Sequence, residues 1–186
     1  MITTIKDGIH VVAIDDAPHI RGDISTEVFF TYCKSTFIEK VTHATITVDG
    51  TDSTEVILEE LEKNSESFTL VVLHGITVGG LNIVDIQTIS EKLHKPIIAV
   101  TENPPTQNLL YTVVEFTKNS QFRKDLIKKA GSLQPYKTKH GSTPIFYHMK
   151  SISEKVAEQF FEKFCIRSRL PEQLLITHKI ASAWKK

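Results

Sequence analysis

Residues 68–85 read Phe-Thr-Leu-Val-Val-Leu-His-Gly-Ile-Thr-Val-Gly-Gly-Leu-Asn-Ile-Val-Asp, and this stretch decides the predicted fold. Its first part, residues 68–73, is nearly all apolar and rich in β-branched side chains, which is typical of a strand buried on both faces of a sheet. The strand ends at His74, and the loop that follows, residues 75–80, contains three glycines. Open α/β sheets place their sites in such loops, at the carboxyl ends of central strands. We therefore expect a functional site at this end of the strand.

Acidic residues follow two other strand-like runs. Residues 11–14 (Val-Val-Ala-Ile) are followed by Asp15 and Asp16, and residues 45–48 (Thr-Ile-Thr-Val) are followed by Asp49. Three strand ends that carry polar, ligand-type side chains favour one convergent site. The alternative is structural, because aspartates at strand ends also form turns or simply face solvent.

The order of the predicted elements indicates an α/β fold in one domain, residues 1–186. Three strands come first as an antiparallel meander. The later strands alternate with helices, which implies right-handed crossovers and parallel pairing. The predicted strands cover residues 9–14, 27–34, 37–48, 68–73 and 96–100. This layout, a mixed five-stranded sheet with helices on both faces, is that of a ribonuclease-H-like domain, in which we expect the ends of the first, third and fourth strands to meet.

The helices show terminal signals of their own. Asp52 and Glu55 match a capping box, so Asp52 is predicted to be a helix N-cap, and Asp85 is predicted to cap the next helix. Residues 133–143 are predicted to be irregular and residues 145–148 to form a short strand or an extended segment. After the helix that starts near Asp52, the predicted helices cover residues 84–94, 106–117, 119–130, a segment that a capping box at residues 151–154 opens and that ends near residue 164, and 171–184.

Charge is distributed unevenly although the formal net charge is zero. Residues 1–66 carry thirteen acids against five Lys or Arg, whereas residues 117–150 carry eight Lys or Arg against Asp125 alone. Such a basic segment could bind the phosphates of a nucleic acid, or it could be an ordinary solvated helix surface. The candidate nucleic-acid contacts are Lys118, Arg123, Lys124, Lys128, Lys137 and Lys139.

The sequence carries no sign of export or of a membrane. Two cysteines, Cys33 and Cys165, make no disulfide framework, which is typical of a reducing compartment. The first residues lack the basic and apolar regions of a signal peptide, and no apolar run approaches membrane-spanning length. We therefore expect a soluble cytoplasmic protein.

Three blocks of this sequence resemble the signature blocks of the archaeal endonuclease dU family, which is related to endonuclease V. They are residues 13–16 (Ala-Ile-Asp-Asp), residues 46–54 (Ile-Thr-Val-Asp-Gly-Thr-Asp-Ser-Thr) and residues 73–85. Residues 169–181 also resemble the closing helix of that family. The resemblance implies a ribonuclease-H-like fold and Mg²⁺-dependent cleavage of DNA near a deaminated base, uracil being the assigned lesion.

The resemblance also implies roles for single residues. Asp15 matches the first metal-binding acid, Asp49 lies where related endonuclease V proteins have an acid, and His178 matches a histidine that lies near the metal in some of them. His74 departs from the pattern, because the family has a metal-binding aspartate there. Mg²⁺ prefers oxygen ligands, whereas an imidazole suits Mn²⁺, Zn²⁺ or Co²⁺ better. A dead site, a weak site and a site with altered metal preference are therefore all open.

Two functions from different classes follow. The first is a metal-dependent endonuclease acting on DNA, with Mg²⁺ (or Mn²⁺) held by Asp15, Asp49 and His74, and with His178 assisting the water or the leaving group. The second is a nucleic-acid-binding or interaction module that kept the fold and lost the chemistry, because His74 replaces the carboxylate. The glycines of residues 75–80 could bind phosphate through their amides or form a tight turn, but P-loop and dinucleotide-binding spacings are absent from the sequence.

Overall fold

A seven-stranded mixed sheet forms the centre of the molecule. The computed structural model describes residues 2–103 and 107–184. The strands are β1 (His10–Asp16), β2 (Ser25–Lys34), β3 (Phe37–Thr47), β4 (Leu70–His74), β5 (Thr77–Val78), β6 (Asn82–Ile83), β7 (Ile97–Thr101), β8 (Gln134–Tyr136) and β9 (Ile145–Lys150). The sheet has the order β3-β2-β1-β4-β7-β9-β8, and β5 and β6 form a separate two-stranded hairpin. Strands β1, β4 and β7 are parallel to one another, and the other pairs are antiparallel.

Helices cover both faces of this sheet. They are α1 (Ser53–Lys63), α2 (Ile86–Leu93), α3 (Gln107–Glu115), α4 (Ser120–Ala130), α5 (Glu154–Phe164) and α6 (Glu172–Ala183). One hydrophobic core contains side chains of α1, α2, α3 and α4, and a second contains side chains of α5 and α6. The predicted start of α3 at residue 106 lies outside the described residues. None of the helices in the described part of the chain is long and apolar enough to cross a bilayer.

The predicted α/β fold with helices on both faces is confirmed, but the predicted count of five strands is wrong. The two additional strands, β8 and β9, pair antiparallel beyond β7. Strand β9 confirms the short strand predicted at residues 145–148, whereas β8 lies within residues 133–143, which were wrongly predicted to be irregular. Strand β8 contains only three residues, one of them proline, and neither buried runs nor alternation marks it in the sequence. Its pairing therefore depends on tertiary contacts that the local pattern does not encode.

Alternation along the central strands divides their side chains between the two cores. In β1, Val12 and Ile14 face the core under α1 and α4, whereas Val11 and Ala13 face the core under α5 and α6. Leu70 and Val72 of β4 face the same side as Val11 and Ala13. Because side chains alternate with a period of two, the next residues along β1 and β4 on the α6 side are positions 15 and 74.

The register of β1 and β4 brings those positions together. The two strands are parallel and neighbouring, and Ile14 pairs with Leu73. The following residues, Asp15 and His74, therefore lie side by side at the carboxyl edge of the sheet. This edge is the one at which open α/β sheets place their sites.

Candidate metal centre

Asp15, His74 and His178 meet at the carboxyl edge of the sheet, on the side covered by α6. Each can offer one ligand atom, and these atoms all lie within 4.8 Å of one another. His178 lies one helical turn after Leu174, which is buried in the core beneath α6. Residues four apart share a face of a helix, so the packing of Leu174 directs His178 towards the sheet edge. We call this group the Asp15–His74–His178 cluster.

One carboxylate binds both imidazoles. The Oδ1 atom of Asp15 lies 3.1 Å from Nδ1 of His74, and its Oδ2 atom lies 2.7 Å from Nδ1 of His178. The two rings meet edge to face, with centroids 5.4 Å apart. Asp15 is 3% exposed, whereas the side chains of His74 and His178 are 24% and 48% exposed. The carboxylate is thus buried behind two imidazoles that solvent can reach.

These contacts set the roles of the ring nitrogens. An ionised carboxylate only accepts hydrogen bonds, so Nδ1 of each histidine donates its proton to Asp15. In a neutral imidazole the other nitrogen, Nε2, then carries the free lone pair. Histidines that bind metals commonly donate their second ring N–H to a carboxylate in this way.

The acids around His74 favour positive charge at this place. Burial opposes protonation of His74, but the hydrogen bond and charge of Asp15, with the charges of Glu102 and Asp16, outweigh it and raise the pKa of this imidazole above its ordinary value. Glu102 is held by Arg169, whose Nη2 atom lies 3.1 Å from its carboxylate. Glu102 was not among the site residues predicted from the sequence.

Asp16 points away from the cluster although it is adjacent to Asp15. It shares the strand face of Val12 and Ile14, and its Oδ2 atom accepts a hydrogen bond of 2.9 Å from the amide of Gly79. Burial raises the pKa of Asp16, and the charge of Asp15 acts in the same direction. Asp15 therefore belongs to the cluster, whereas Asp16 binds the backbone of the loop at Gly79.

Asp49 also lies outside the cluster, which corrects the metal set predicted from the sequence. It follows β3, which is separated from β1 by β2, so the ends of β1 and β3 are not direct neighbours. Its Oδ1 atom accepts a 2.8 Å hydrogen bond from the amide of Leu81, and its backbone amide donates to Gly79. The ends of β1 and β4 lie side by side, as predicted. The third side chain of the cluster is His178 of α6 and not, as predicted, an acid at the end of β3.

Asp52 is the N-cap residue of α1, as predicted, but the capping hydrogen bond comes from Asn82, which sequence reasoning missed. The fully buried Asn82 accepts a hydrogen bond from the amide of Ser53 at the start of α1 and donates to Thr47 and Asp52. Asp52 makes no side-chain cap; it accepts from the amide and hydroxyl of Thr47 instead. The prediction for Asp85 is confirmed, because its Oδ1 atom accepts from the amide of Thr88 in the first turn of α2.

Arg123 is a structural residue, which corrects its assignment to a nucleic-acid surface. It is 3% exposed, and its guanidinium donates to the carbonyls of Leu81, Asp49, Gly50 and Lys118. A guanidinium can satisfy several carbonyls at once because it has five N–H donors in a fixed plane. Arg123 therefore ties the segment after β3 to the loop around Leu81 and to the start of α4.

The five lysines of the predicted nucleic-acid surface lie on or near the surface. Lys124 pairs with Glu115 at 3.2 Å and Lys139 with Glu162 at 3.5 Å, so part of their charge is already compensated. Lys118, Lys128 and Lys137 are exposed. The carbonyl of Lys118 accepts from Arg123, which places this lysine beside the loops at the carboxyl edge.

The glycine-rich segment forms a turn whose amides are used by the protein. Residues 75–83, which we call the glycine hairpin, include β5, β6 and the turn between them. Gly79 and Gly80 have φ values of +51° and +82°, which favour glycine. The amides of Gly79 and Leu81 donate to Asp16 and Asp49, so they are occupied by carboxylates of this chain.

A cavity of about 300 Å³ opens beside the glycine hairpin. Its wall is almost entirely apolar and includes the residues directly after His74 in the chain. It is lined by Gly75, Ile76, Thr77, Ala99, Thr101 and Leu109, among others. Its volume lies at the lower end of the range of small-ligand pockets.

A sequence profile of the endonuclease dU family matches residues 7–185. The chain belongs to the endonuclease dU family. The UPF0215 protein of Methanosarcina acetivorans is 32% identical over 181 residues, which is 96% of this chain and 91% of that protein. The family and its archaeal relatives confirm the resemblance seen in the sequence.

Solved structures confirm the ribonuclease-H-like fold of this endonuclease dU chain. A protein of unknown function from Archaeoglobus fulgidus superposes with a TM-score of 0.83 at 24% identity, covering 94% of this chain and 97% of that one. Endonuclease V of Ciona intestinalis, in complex with a 24mer DNA containing an inosine followed by a ribo-adenosine, superposes with a TM-score of 0.60 at 12% identity. That match covers 93% of this chain and 84% of the endonuclease V chain.

The donors of the cluster fit a divalent metal ion, but they do not fit the Mg²⁺ predicted from the family. One carboxylate and two imidazoles are available in the Asp15–His74–His178 cluster. Mg²⁺ is bound by oxygen ligands in near-octahedral geometry, whereas imidazole is a ligand of Zn²⁺, Co²⁺ and Mn²⁺. The cluster therefore offers an ion one carboxylate and two imidazoles instead of a pair of carboxylates.

Proposed function

We propose that this chain is a metal-dependent endonuclease that cleaves DNA at deaminated bases such as deoxyuridine. The observation that carries the proposal is the Asp15–His74–His178 cluster at the carboxyl edge of β1 and β4. The cluster belongs to a chain of the endonuclease dU family, and this chain has the same fold as endonuclease V. A bound divalent ion supplies Lewis acidity, which activates water and stabilises negative charge at a phosphodiester.

The side chains of the cluster have distinct tasks in this proposal. Asp15 is buried and fixes the orientation of both imidazoles through their Nδ1 atoms. His74 is the second candidate ligand, and His178, the most exposed of the three, is the third.

The surroundings of the cluster support a nucleic-acid substrate. Lys118 lies beside the loops at the carboxyl edge, and Lys128 and Lys137 add exposed positive charge for the phosphate backbone. The apolar cavity beside Gly75 is the place for an extruded base, since enzymes that act at single bases hold the base in a pocket lined by apolar groups.

One observation favours a second function. Residue 74, at the end of β4, is a histidine, whereas the resemblance to the family implies a metal-binding aspartate there, so a carboxylate that would support Mg²⁺ chemistry is missing. On this alternative the chain binds nucleic acid without cleaving it. For either function we propose a cytoplasmic location.

The test is cleavage of labelled DNA duplexes that contain uracil, inosine or no lesion, each with Mg²⁺, Mn²⁺, Co²⁺ or Zn²⁺. Wild type should nick the lesion-containing duplexes, and Asp15→Ala should lower the rate by at least about 1000-fold because the shared carboxylate is lost. His94→Asn, which alters an exposed histidine outside the cluster, should cleave like wild type. Folded wild-type protein that binds DNA but cleaves none of the duplexes would instead support the binding module.

A further inference from the structure

We infer that the Asp15–His74–His178 cluster is a two-histidine, one-carboxylate site that selects transition-metal ions, Zn²⁺ and Co²⁺ foremost, over Mg²⁺. The inference rests on the proposed function only for the role of the ion in cleavage. Binding itself can be measured without any nucleic acid.

The number and type of donors lead to this selectivity. Two imidazole nitrogens and one carboxylate offer three protein ligands. Three such ligands with one open position are the arrangement of catalytic zinc sites, and two histidines with one carboxylate also bind other first-row transition ions. Mg²⁺ keeps several waters and is held by one or two carboxylates, so nitrogen donors contribute little to its binding.

The hydrogen bonds of the cluster prepare it for such an ion. Asp15 accepts from Nδ1 of both His74 and His178, which fixes the tautomers and the ring orientations. An ion bound by Asp15 and both histidines would take the place of the two Nδ1 protons, because the Nδ1 atoms and not the Nε2 atoms face the carboxylate oxygens. Its three protein ligands would be the Asp15 carboxylate and the two Nδ1 atoms.

The local charge suits a dication. Asp15 is 3% exposed, and its two oxygens lie 3.1 Å from Nδ1 of His74 and 2.7 Å from Nδ1 of His178. A buried carboxylate between imidazoles is relieved by a positive charge at the same place. Glu102, at the carboxyl end of the neighbouring strand β7, pairs with Arg169.

Metal binding to the full, metal-stripped chain tests the inference directly. Isothermal titration with ZnCl₂, CoCl₂ and MgCl₂ should give one site for Zn²⁺ and for Co²⁺, with affinity for Mg²⁺ lower by at least about 100-fold. The visible spectrum of the Co²⁺ complex should show ligand-field bands of a site with nitrogen and oxygen donors. Those bands should disappear in Asp15→Ala and His178→Ala.

His74→Asp is the decisive variant, because it restores a carboxylate at this position. It should lower Zn²⁺ affinity by at least the roughly 10–100-fold that loss of a supporting group causes, and it should raise Mg²⁺ affinity. His94→Asn is the matched control, since it removes an exposed imidazole at a position with φ of +53°, which asparagine tolerates. It should leave all three affinities unchanged.

The outcomes separate the inference from the proposed function. Mg²⁺ binding as tight as Zn²⁺ binding in wild type, or an unchanged order of affinities in His74→Asp, would overturn the inference even if DNA is cleaved. Zn²⁺ binding that survives Asp15→Ala in folded protein would overturn it as well. Selective Zn²⁺ binding without any cleavage would support the inference and count against the endonuclease.

Discussion

Two neighbouring regions at the carboxyl edge of the sheet use similar side chains in different ways. In the Asp15–His74–His178 cluster, side chains bond to one another. In the second region, which we call the hairpin anchor and define as Asp16, Asp49, Asn82 and Arg123, the polar groups bond mainly to backbone amides and carbonyls. Asp15 of the cluster and Asp16 of the hairpin anchor are consecutive residues of β1.

This contrast teaches which polar residues can act on a substrate. A carboxylate that accepts backbone N–H groups stabilises a loop, and a guanidinium surrounded by carbonyls has few donors left for phosphate. A carboxylate shared by two imidazoles leaves their second nitrogens available. Substitutions in the hairpin anchor should therefore reduce stability, whereas substitutions in the cluster should reduce activity or metal affinity.

Arg123→Ala should have the largest effect on stability. It leaves the carbonyls of Asp49, Gly50, Leu81 and Lys118 without this donor, and we expect a loss of about 4 kcal/mol in the free energy of unfolding. Urea denaturation followed by circular dichroism measures it. The matched control on the same helix is Lys124→Ala, which breaks only a surface ion pair and should cost less than about 1 kcal/mol. Equal effects of the two substitutions would contradict a structural role for Arg123.

Most of the fold could be predicted from the sequence because the central strands are encoded locally. Apolar runs predicted β1 and β4, aromatic and β-branched content predicted β2, and alternation predicted β3, while helical spacing and capping residues predicted most of the helices. Strand β8 and the two-residue strands of the glycine hairpin are too short for periodicity to reveal. Their pairing arises from packing at the edge of a sheet that is already formed.

The site could be predicted only in part. Asp15 and His74 follow from their positions at the ends of strands that are neighbours in the sheet. The choice between Asp15 and Asp16 depends on which face α6 covers, and a pattern of period two does not contain that information. Asp49 was placed in the site because β3 ends in an acid, but strand order separates it from β1. His178 was found from the family resemblance, since nothing in the spacing of its own helix distinguishes it.

Gly80→Ala should have an intermediate effect on stability. A Cβ atom at Gly80 would collide with Oδ1 of Asp49, and the backbone has φ of +82°, so the substitution strains the chain and displaces the carboxylate from Leu81. We expect a loss of roughly 2–3 kcal/mol, measured by thermal or urea unfolding. Gly22→Ala is the control, because Gly22 also has a positive φ but no described atom lies within 4 Å of its Cβ position. Backbone strain alone should cost about 1 kcal/mol at Gly22. A loss at Gly22 as large as the loss at Gly80 would contradict a contribution from the collision with Asp49.

Asp16→Asn should have the smallest effect, and comparison with Asp15→Asn tests the division between the two regions. The amide oxygen of asparagine can still accept from Gly79, and burial already disfavours a charge at Asp16, so the free energy of unfolding should change by less than about 1 kcal/mol. Cleavage of a uracil-containing duplex should fall by less than about tenfold, against about 1000-fold for Asp15→Asn. Asparagine at position 15 cannot accept from both imidazoles, because its nitrogen is a donor facing one of two Nδ1–H groups. If both substitutions reduced cleavage equally while Zn²⁺ binding was lost in both, Asp16 would belong to the metal site, and alternation along β1 would not separate the catalytic acid from the structural one.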